Sequence, residues 1–528
     1  MYRAALLGLL LAACSQEAVP TREAPAGIAR AAFTSAGAVL LDFEIDATLV
    51  TDTLDPVAVD KLIETQLLFT VGQLNGDSSV ARLDRASYGV TGQVERSTTP
   101  PTHEIHYHAR LPVAWGGGAP PVSYVFALPQ SVGPDDQTAF TTKYGPMCTD
   151  PEAGAVDAGE MFLFYRPHRA GCAIDPADVA IATATVTSST HNSIAKYPEY
   201  HRVWEDQELD VVAMFGREFD DGRTADDGAH AYLAFVQKTR DYLRSLQPDA
   251  AQRTETTDGM TSEPNVRLAA TLPDGRRIRV DVLSTRPSLR ADTALDAWYN
   301  ARSADADAIL YNGHAGLGDN VRALMDKGEF RPRKYVIEVI NGCDTFAYVD
   351  DTLATRRAAL NPDDPTGTRY MDTITNVLGA YFHSGDATAS TLLQALVSAA
   401  ESTPKTYDEI FGVVDPTQII VVDGEQDNQF APGMVPAPPI APAATPPTSA
   451  ANPGAPPPDP TPLVAADGAP RTQSSANAAH GKCSIHAPGR DRAPGGFVFG
   501  SVGAAVALLA AQRRRRRLLA QREPSGAP

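Results

Sequence analysis

The sequence predicts an α/β protein in which a mostly parallel sheet flanked by helices follows a β-rich accessory domain. From residue 209 onward, short β-branched runs alternate with amphipathic segments, the pattern of a sheet covered by helices. Two of these runs, 308–313 and 335–342, are almost wholly apolar, as expected of strands buried on both faces. Before residue 190, apolar and polar residues alternate between glycine and proline clusters, which indicates half-buried strands joined by turns.

Length and charge limit the classes of function. The 528 residues are enough for two or three domains, and a hydrophobic content of 43% is ordinary for folded protein. With 45 basic and 64 acidic residues the net charge is -19, which argues against nucleic acid as a partner because phosphates need basic side chains.

The N-terminus predicts export. Arg3 precedes an apolar run at 4–13 that is too short to span a bilayer, and the run ends in Leu-Ala-Ala-Cys, which resembles a bacterial lipobox. Residues 1–13 are therefore expected to be a lipoprotein signal peptide, Cys14 a lipidation site and residues 14–31 a linker. A plain signal peptide is the alternative.

The C-terminus predicts surface anchoring. Residues 431–480 are rich in proline and alanine, a composition typical of an extended stalk. Residues 481–528 contain Cys483, an apolar run at 495–511 and five consecutive arginines. This tail resembles the MYXO-CTERM sorting tails of myxobacterial surface proteins. The resemblance implies removal of the tail by a sorting protease, lipidation of Cys483 and an outer-membrane or cell-surface location; a simple membrane anchor is the alternative.

The remaining cysteines have different expected roles. Cys148 and Cys172 lie in one loop-rich segment, and in an exported protein their simplest arrangement is a disulfide. Cys343 is then unpaired, and its position at the end of a strand favours a reactive thiol over a buried apolar one.

Residues 32–189 are expected to form the β-rich accessory domain, for which a sandwich of two sheets is one arrangement. Residues 209–430 are expected to form the α/β domain. In the α/β domain the patterns predict, besides the two apolar strands, a strand at 209–215, a helix at 230–246, a hairpin at 266–285, helices at 293–304, 321–328 and within 371–401, and a strand at 418–422.

His314 and Cys343 each follow one of the two apolar strands. Side chains beyond the carboxyl ends of neighbouring parallel strands meet at one edge of a sheet, where ligands bind. An imidazole beside a thiol raises the thiolate fraction and can protonate a leaving amine. Asn312 and Asn341 precede glycines in equivalent positions and are expected to serve the turns.

The two strand ends resemble the caspase/gingipain/legumain group of cysteine peptidases, with its CHAT-type members. The resemblance implies a caspase-like α/β fold, a peptide or protein substrate, His314 as the general base or acid and Cys343 as the nucleophile. Backbone N–H groups at Gly342, or in the turn at Ala315 and Gly316, are candidates for the oxyanion hole. The group usually has glycine directly after the histidine, where this chain has Ala315.

Other interpretations remain open. A caspase-like module without activity, serving as a surface binding module or adhesin, is the alternative function. No cofactor and no metal site are expected: His103, His106 and His108 fit a solvent-facing strand better than a metal site, and the acidic segment 220–228 fits a solvated loop better than a calcium site. Asp344 is expected to form an Asx-type turn or a helix cap.

Overall fold

The chain folds into two β-sheets with helices around them. The computed structural model describes residues 38–151, 153–190, 195–222, 225–290, 292–399, 403–414 and 418–434. The expected signal peptide and linker, Cys14, most of the stalk and the tail with Cys483 lie outside these residues. The mixture of strands and helices confirms the mixed α/β class that the sequence predicts.

The N-terminal sheet contains six strands within the described residues, in the order β2-β4-β1-β6-β5, and β3 pairs with β4 beyond the end of β2. All of its printed pairings are antiparallel. The strands are β1 (Val39–Thr51), β2 (Ser79–Ala81), β3 (Ser87–Thr98), β4 (Pro101–Trp115), β5 (Ser123–Pro129) and β6 (Val179–Ser188), and the helices are α1 (Pro56–Gly76), α2 (Pro134–Cys148) and α3 (Met161–Phe164).

Helix α1 packs on this sheet and was not expected from the sequence. Asp55 caps its first turn by accepting a hydrogen bond from the Ala58 N–H at 2.9 Å, and Pro56 follows directly. The half from Gln66 to Leu74 is buried on nearly every side, so the apolar stripe that marks a surface helix is missing. The strands lie in one sheet covered by helices, and the expectation of a sandwich is therefore wrong.

The C-terminal sheet contains eight strands within the described residues, in the order β14-β13-β12-β11-β7-β10-β9-β8. The strands are β7 (Glu208–Gly216), β8 (Arg253–Thr256), β9 (Asn265–Thr271), β10 (Arg277–Thr285), β11 (Ala308–Asn312), β12 (Val336–Asn341), β13 (Met371–Asn376) and β14 (Ile420–Asp423). The helices are α4 (Tyr200–Val203), α5 (Asp227–Leu246), α6 (Thr293–Ser303), α7 (Asp319–Asp326), α8 (Thr352–Leu360), α9 (Gly385–Ala399) and α10 (Tyr407–Phe411).

The C-terminal sheet is mixed. Strands β10, β7, β11, β12 and β13 are parallel to one another, whereas β8, β9 and β14 join antiparallel at the two edges. The chain leaves β7 for β10 on one side and later returns to β11 on the other side. A reversal of this kind opens a crevice at the carboxyl ends of the strands, which is where open α/β sheets bind ligands.

Strand β13 occupies the first part of the segment 371–401, within which the sequence predicted helices and no strand. Its sequence mixes polar and apolar residues, yet Asp372 and Thr373 are as buried as Ile374 because the strand lies between β12 and β14. The Asp372 carboxylate accepts hydrogen bonds from the hydroxyls of Tyr335 and Tyr407, which compensates for its burial. The helix expected after it is present as α9.

The two faces of the C-terminal sheet belong to different cores. One core contains residues of α4, α5, α9 and α10. The other contains residues of α6, α7 and α8 and continues without a break into the N-terminal sheet. Arg82 also joins the two sheets: its side chain donates to the Val349 carbonyl at 2.9 Å and forms an ion pair with Asp423. None of the described helices combines the length and apolar character that crossing a bilayer requires.

Cys148, the last residue of α2, forms a disulfide with Cys172, as the sequence suggested. The bond closes a loop over a sequence separation of 24 residues. On the chain-entropy account, a loop of this length stabilises the folded state by about 3 kcal/mol.

Replacing both cysteines by alanine should therefore lower the free energy of unfolding by about 3 kcal/mol. Urea unfolding of the double variant, with the wild type in the presence and absence of a reductant as controls, measures the change. An unchanged transition midpoint would contradict the structural role of the bond.

Candidate active site

The ends of β11 and β12 lie side by side. The two strands pair in parallel until Asn312 lies opposite Asn341, and the Gly313 N–H donates to the Asn341 carbonyl at 3.0 Å. His314 and Cys343 each lie two residues beyond this last pair. Since neighbouring strands are about 4.8 Å apart, the imidazole and the thiol start from adjacent backbone positions.

Gly342 allows the segments that follow β11 and β12 to remain close to each other. A Cβ at this position would lie 2.7 Å from the Gly313 carbonyl oxygen and 3.3 Å from the Ala315 nitrogen. Any other residue would push apart the turns that follow the two strands. The glycine before Cys343 is therefore required by packing.

The main chain at His314 is fixed by two side chains that sequence reasoning missed. The Tyr311 hydroxyl donates to the His314 carbonyl at 2.8 Å, and Asn320 Nδ2 donates to the same oxygen at 2.9 Å. Asn320 also accepts the Leu289 N–H at 2.9 Å and is 2% exposed. Its one visible signal in the sequence is its position on the face of α7 that otherwise carries Val321 and Leu324.

The imidazole of His314 is held by the loop after β7. Its Nε2 lies 3.1 Å from the Glu218 carbonyl oxygen, and its ring packs edge-to-face against Phe382 with centroids 4.8 Å apart. A carbonyl can only accept, so Nε2 carries the proton of the neutral ring and Nδ1 carries the lone pair. This tautomer makes Nδ1 the basic atom.

Asp226 holds this loop in place. Its carboxylate accepts hydrogen bonds from the backbone N–H groups of Glu218 and Phe219, each at 3.0 Å, and it caps α5 by accepting from Ala229 at 2.9 Å. Three N–H donors thus occupy the oxygens of the buried Asp226. Asp226 belongs to the acidic segment considered for calcium, and its carboxylate instead binds backbone N–H groups that fix the loop.

The thiol of Cys343 is covered. The residue is 7% exposed, and its Sγ lies 3.8 Å from the Ala380 carbonyl oxygen. The turn that carries it is held from both sides, because the Asp344 N–H donates to Leu378 at 3.3 Å and the Thr345 hydroxyl donates to Ile340 at 2.7 Å. The segment 378–382 therefore covers the thiol and its turn.

Asp344 is buried against the N-terminal unit, by which we mean the sheet of β1–β6 with helices α1–α3 and their connecting loops, and it does not act as a side-chain cap. It has a left-handed backbone, with φ 52°, and its side chain makes no capping hydrogen bond to the short helix that follows. Burial raises the pKa of its carboxyl from an ordinary 3.8 to about 7, opposed by a hydrogen bond from Asn75 and by the charge of Arg166. Asp344 therefore occupies the N-cap position of this helix, as expected of a helix cap, but it accepts the Ala347 N–H through its backbone carbonyl, at 2.9 Å, and not through its side chain.

The three oxyanion-hole candidates lie in one short region but in different environments. Gly342 and Ala315 are buried, whereas Gly316 is exposed and has φ 61°. The Ala315 carbonyl accepts the N–H groups of Gly318 at 3.1 Å and Asn320 at 3.2 Å, which fixes the turn into α7.

A small cavity lies next to the two strand ends. It has room for about one water molecule and is lined by residues from the ends of β7, β11 and β12, from α5 and from the segment before α9. Three lining residues lie next to the reactive pair. Phe382 packs against the His314 ring, the Ala380 carbonyl lies near Cys343 Sγ, and Gly313 directly precedes His314. The cavity is the crevice that the strand order creates.

Two of the three histidines considered for a metal site lie beside carboxylates of the same sheet. His106 lies 3.1 Å from Glu104, and His108 lies 3.0 Å from Asp46. Across the described residues, no group of three or more His, Cys, Asp or Glu side chains is placed to hold a metal ion.

No protein-family model matches the chain, and no curated protein matches it significantly.

The contact between the two strand ends predicts a reactive Cys343. Iodoacetamide should label the thiol in the folded protein, and His314→Ala should slow labelling about tenfold because the basic Nδ1 is lost. Mass spectrometry of the peptide that contains Cys343 measures the rate.

His383→Ala is the control, since it removes an exposed imidazole that packs beside Tyr381 in the covering segment. Equal labelling rates in wild type and His314→Ala, or an inert thiol in both, would contradict the pairing of His314 with Cys343.

The raised pKa of the buried Asp344 carboxyl should make the free energy of unfolding depend on pH. A carboxyl whose pKa is raised on folding stabilises the protein fully below its unfolded pKa, and this contribution is lost as the pH rises toward 7. Asp344→Asn removes the titration and keeps a residue that tolerates a left-handed backbone.

The free energy of unfolding of the variant, relative to wild type, should therefore increase by about 3 kcal/mol between pH 4.5 and pH 8. Urea unfolding at both pH values measures it. A difference that does not change with pH would show that Asp344 is not buried as described.

Proposed function

We propose that this protein is a surface-anchored cysteine peptidase with a caspase-like α/β domain, hydrolysing peptide bonds through a Cys343–His314 dyad. The observation that carries the proposal is the register of β11 and β12, which gives the two residues equivalent positions at neighbouring strand ends. The resemblance to the caspase/gingipain/legumain group supports the same assignment.

In the proposed reaction, His314 Nδ1 accepts the proton of the Cys343 thiol. The thiolate attacks the carbonyl carbon of the substrate, and a bond forms between sulfur and carbon while the carbonyl oxygen becomes an oxyanion. The imidazolium then gives its proton to the leaving amine as the C–N bond breaks. Water, activated by the same imidazole, hydrolyses the thioester and releases the free thiol.

The surroundings of His314 suit this role. The Glu218 carbonyl accepts from Nε2 in both the neutral and the charged ring, so it orients the imidazole and stabilises the positive charge. Tyr311 and Asn320 hold the backbone of the same residue. N–H groups at Gly342 or Ala315 are the closest candidates for binding the oxyanion, and each such donor contributes a few kcal/mol.

A binding module without activity is the second candidate. The low exposure of Cys343 and the presence of Ala315 in place of the usual glycine favour it. In that case the surface around the two strand ends would recognise a peptide without cleaving it, as an adhesin would.

The expected location is the outer membrane or cell surface. The lipobox-like segment before Cys14 and the sorting-type tail around Cys483 support export, with lipid anchoring and a sorting protease as partners. The disulfide between Cys148 and Cys172 is a kind of bond that persists in oxidising compartments.

Cleavage of a peptide library by wild type and Cys343→Ala tests the proposal. The variant should lose activity by about 1,000-fold or more, because the nucleophile is gone, while keeping the melting temperature of the wild type. His383→Ala serves as the control and should keep most of the activity. Cleavage that survives in Cys343→Ala would exclude the dyad, and absence of cleavage in both proteins would favour the binding module.

A further inference from the structure

The peptide group between Glu218 and Phe219 connects His314 to Asp226. Its carbonyl oxygen lies 3.1 Å from His314 Nε2, and its N–H, which belongs to Phe219, donates to an Asp226 carboxylate oxygen at 3.0 Å. The C=O and N–H of a trans peptide point in opposite directions, so the imidazole and the carboxylate lie on opposite sides of one planar group. The two hydrogen bonds therefore form a chain from the ring to Asp226.

A chain of this kind transmits charge. Hydrogen bonds in series polarise one another, so a carboxylate that accepts a peptide N–H makes the carbonyl oxygen of the same peptide a stronger acceptor. The stronger acceptor favours the Nε2–H tautomer of His314 and stabilises the imidazolium that forms when Nδ1 takes the proton of Cys343. Electrostatic effects are largest away from water, and Asp226 is only 2% exposed.

Asp226 makes more contacts than a helix cap requires. Capping α5 needs only the hydrogen bond from the Ala229 N–H, at 2.9 Å. Asp226 also accepts the Glu218 N–H at 3.0 Å, so its two oxygens hold both peptide groups that flank Glu218. By comparison, Asp292 caps α6 by accepting the Leu295 N–H at 3.0 Å.

The end of β7 and the start of α5 lie close enough for these contacts because residue 228 is glycine. A Cβ on Gly228 would overlap the carbonyl oxygen of Gly216, the last residue of β7. The Arg217 N–H donates to the Thr285 carbonyl at 3.0 Å and fixes the start of the loop. Both ends of the loop are thus held, and Asp226 reaches Glu218 from the helix.

The charged groups near Asp226 on the loop and on α5 form other pairs: Arg217 lies 3.4 Å from Glu263 and 3.6 Å from Asp220, and Asp227 lies 3.7 Å from His230. On the side of the segment 378–382, the His314 ring meets the uncharged Phe382. These ion pairs are separate from the two hydrogen bonds that link Asp226 to His314.

We propose that Asp226 is the positioning residue of the His314–Cys343 pair and acts on the imidazole through the peptide group between Glu218 and Phe219. In a Ser-His-Asp triad the carboxylate binds the imidazole directly; here one peptide group lies between them. The inference rests on the pairing of His314 with Cys343 in the proposed function. The coupling of Asp226 to His314 does not require peptidase activity.

The pH dependence of Cys343 alkylation by iodoacetamide tests the proposal. In Asp226→Ser the hydroxyl still caps α5, but it is too short to hold both peptide groups around Glu218. At pH 6.5, where the thiolate depends on an imidazolium, labelling should be about threefold or more slower than in wild type. At pH 9.5 the thiol ionises without this help, and the two rates should agree. Loosening of the loop alone would change the rate at both pH values.

Two further variants control the measurement. Asp292→Ser makes the same substitution at the cap of α6 and should label like wild type at both pH values. Asp226→Asn keeps the size and the cap but removes the charge; it should also slow labelling at pH 6.5, which keeps the test valid if Asp226→Ser fails to fold. Wild-type rates at pH 6.5 in both Asp226 variants, or equal slowing at pH 9.5, would overturn the proposal.

Titration of the His314 ring separates this inference from the proposed function. Nitrogen NMR of Cys343→Ala protein with isotope-labelled histidine follows the ring without the thiol. Adding Asp226→Asn should lower the midpoint of the His314 titration by about half a pH unit or more, because the imidazolium loses a stabilising charge. A lowered midpoint, with labelling that is not slowed in His314→Ala, would uphold the action of Asp226 on His314 and reject the dyad. An unchanged midpoint, with labelling that is slowed in His314→Ala, would uphold the dyad and reject the role of Asp226.

Discussion

The parallel pairing of β11 with β12 ends where Asn312 lies beside Asn341, and the candidate site is built on that register. It gives His314 and Cys343 equivalent positions, brings the two asparagine amides into contact and places Gly342 against the backbone of the neighbouring turn. A shift of one residue in this pairing would send one of the two reactive side chains to the opposite face of the sheet. The proposed chemistry therefore depends on these backbone hydrogen bonds.

The N-terminal unit contributes to the site although it supplies none of the proposed reacting groups. Asp344, the residue directly after Cys343, is buried against Asn75 and Arg166 of that unit. Arg82 contacts Val349 and Asp423, which belong to the segment after Cys343 and to β14. The turn that carries the thiol is consequently fixed between the two sheets, and we infer that the N-terminal unit positions Cys343 as well as adding stability.

Elements of the fold could be predicted from the sequence where their residues form a short-range hydrophobic pattern. Strands β7, β11 and β12, the hairpin of β9 and β10 and helices α5, α6 and α9 follow from hydrophobic periodicity, and the two strand ends follow from the residues at which those runs stop. Helix α1 was missed because its second half is buried on nearly all sides, and β13 was missed because Asp372 and Thr373 look exposed until their partners are known. Asn320, Asp226 and the Glu218 carbonyl act through contacts across the fold, and no short-range pattern marks them.

Trapping the intermediate tests the central claim, that Cys343 is a nucleophile, most directly. Wild-type protein is mixed with a peptide ester that has a good leaving group, and the reaction is quenched rapidly in acid. The peptide that contains Cys343 should then gain the mass of the acyl group. The adduct should be a thioester, which hydroxylamine removes. Turnover of the ester with no adduct, or with an adduct on another residue, would contradict the account.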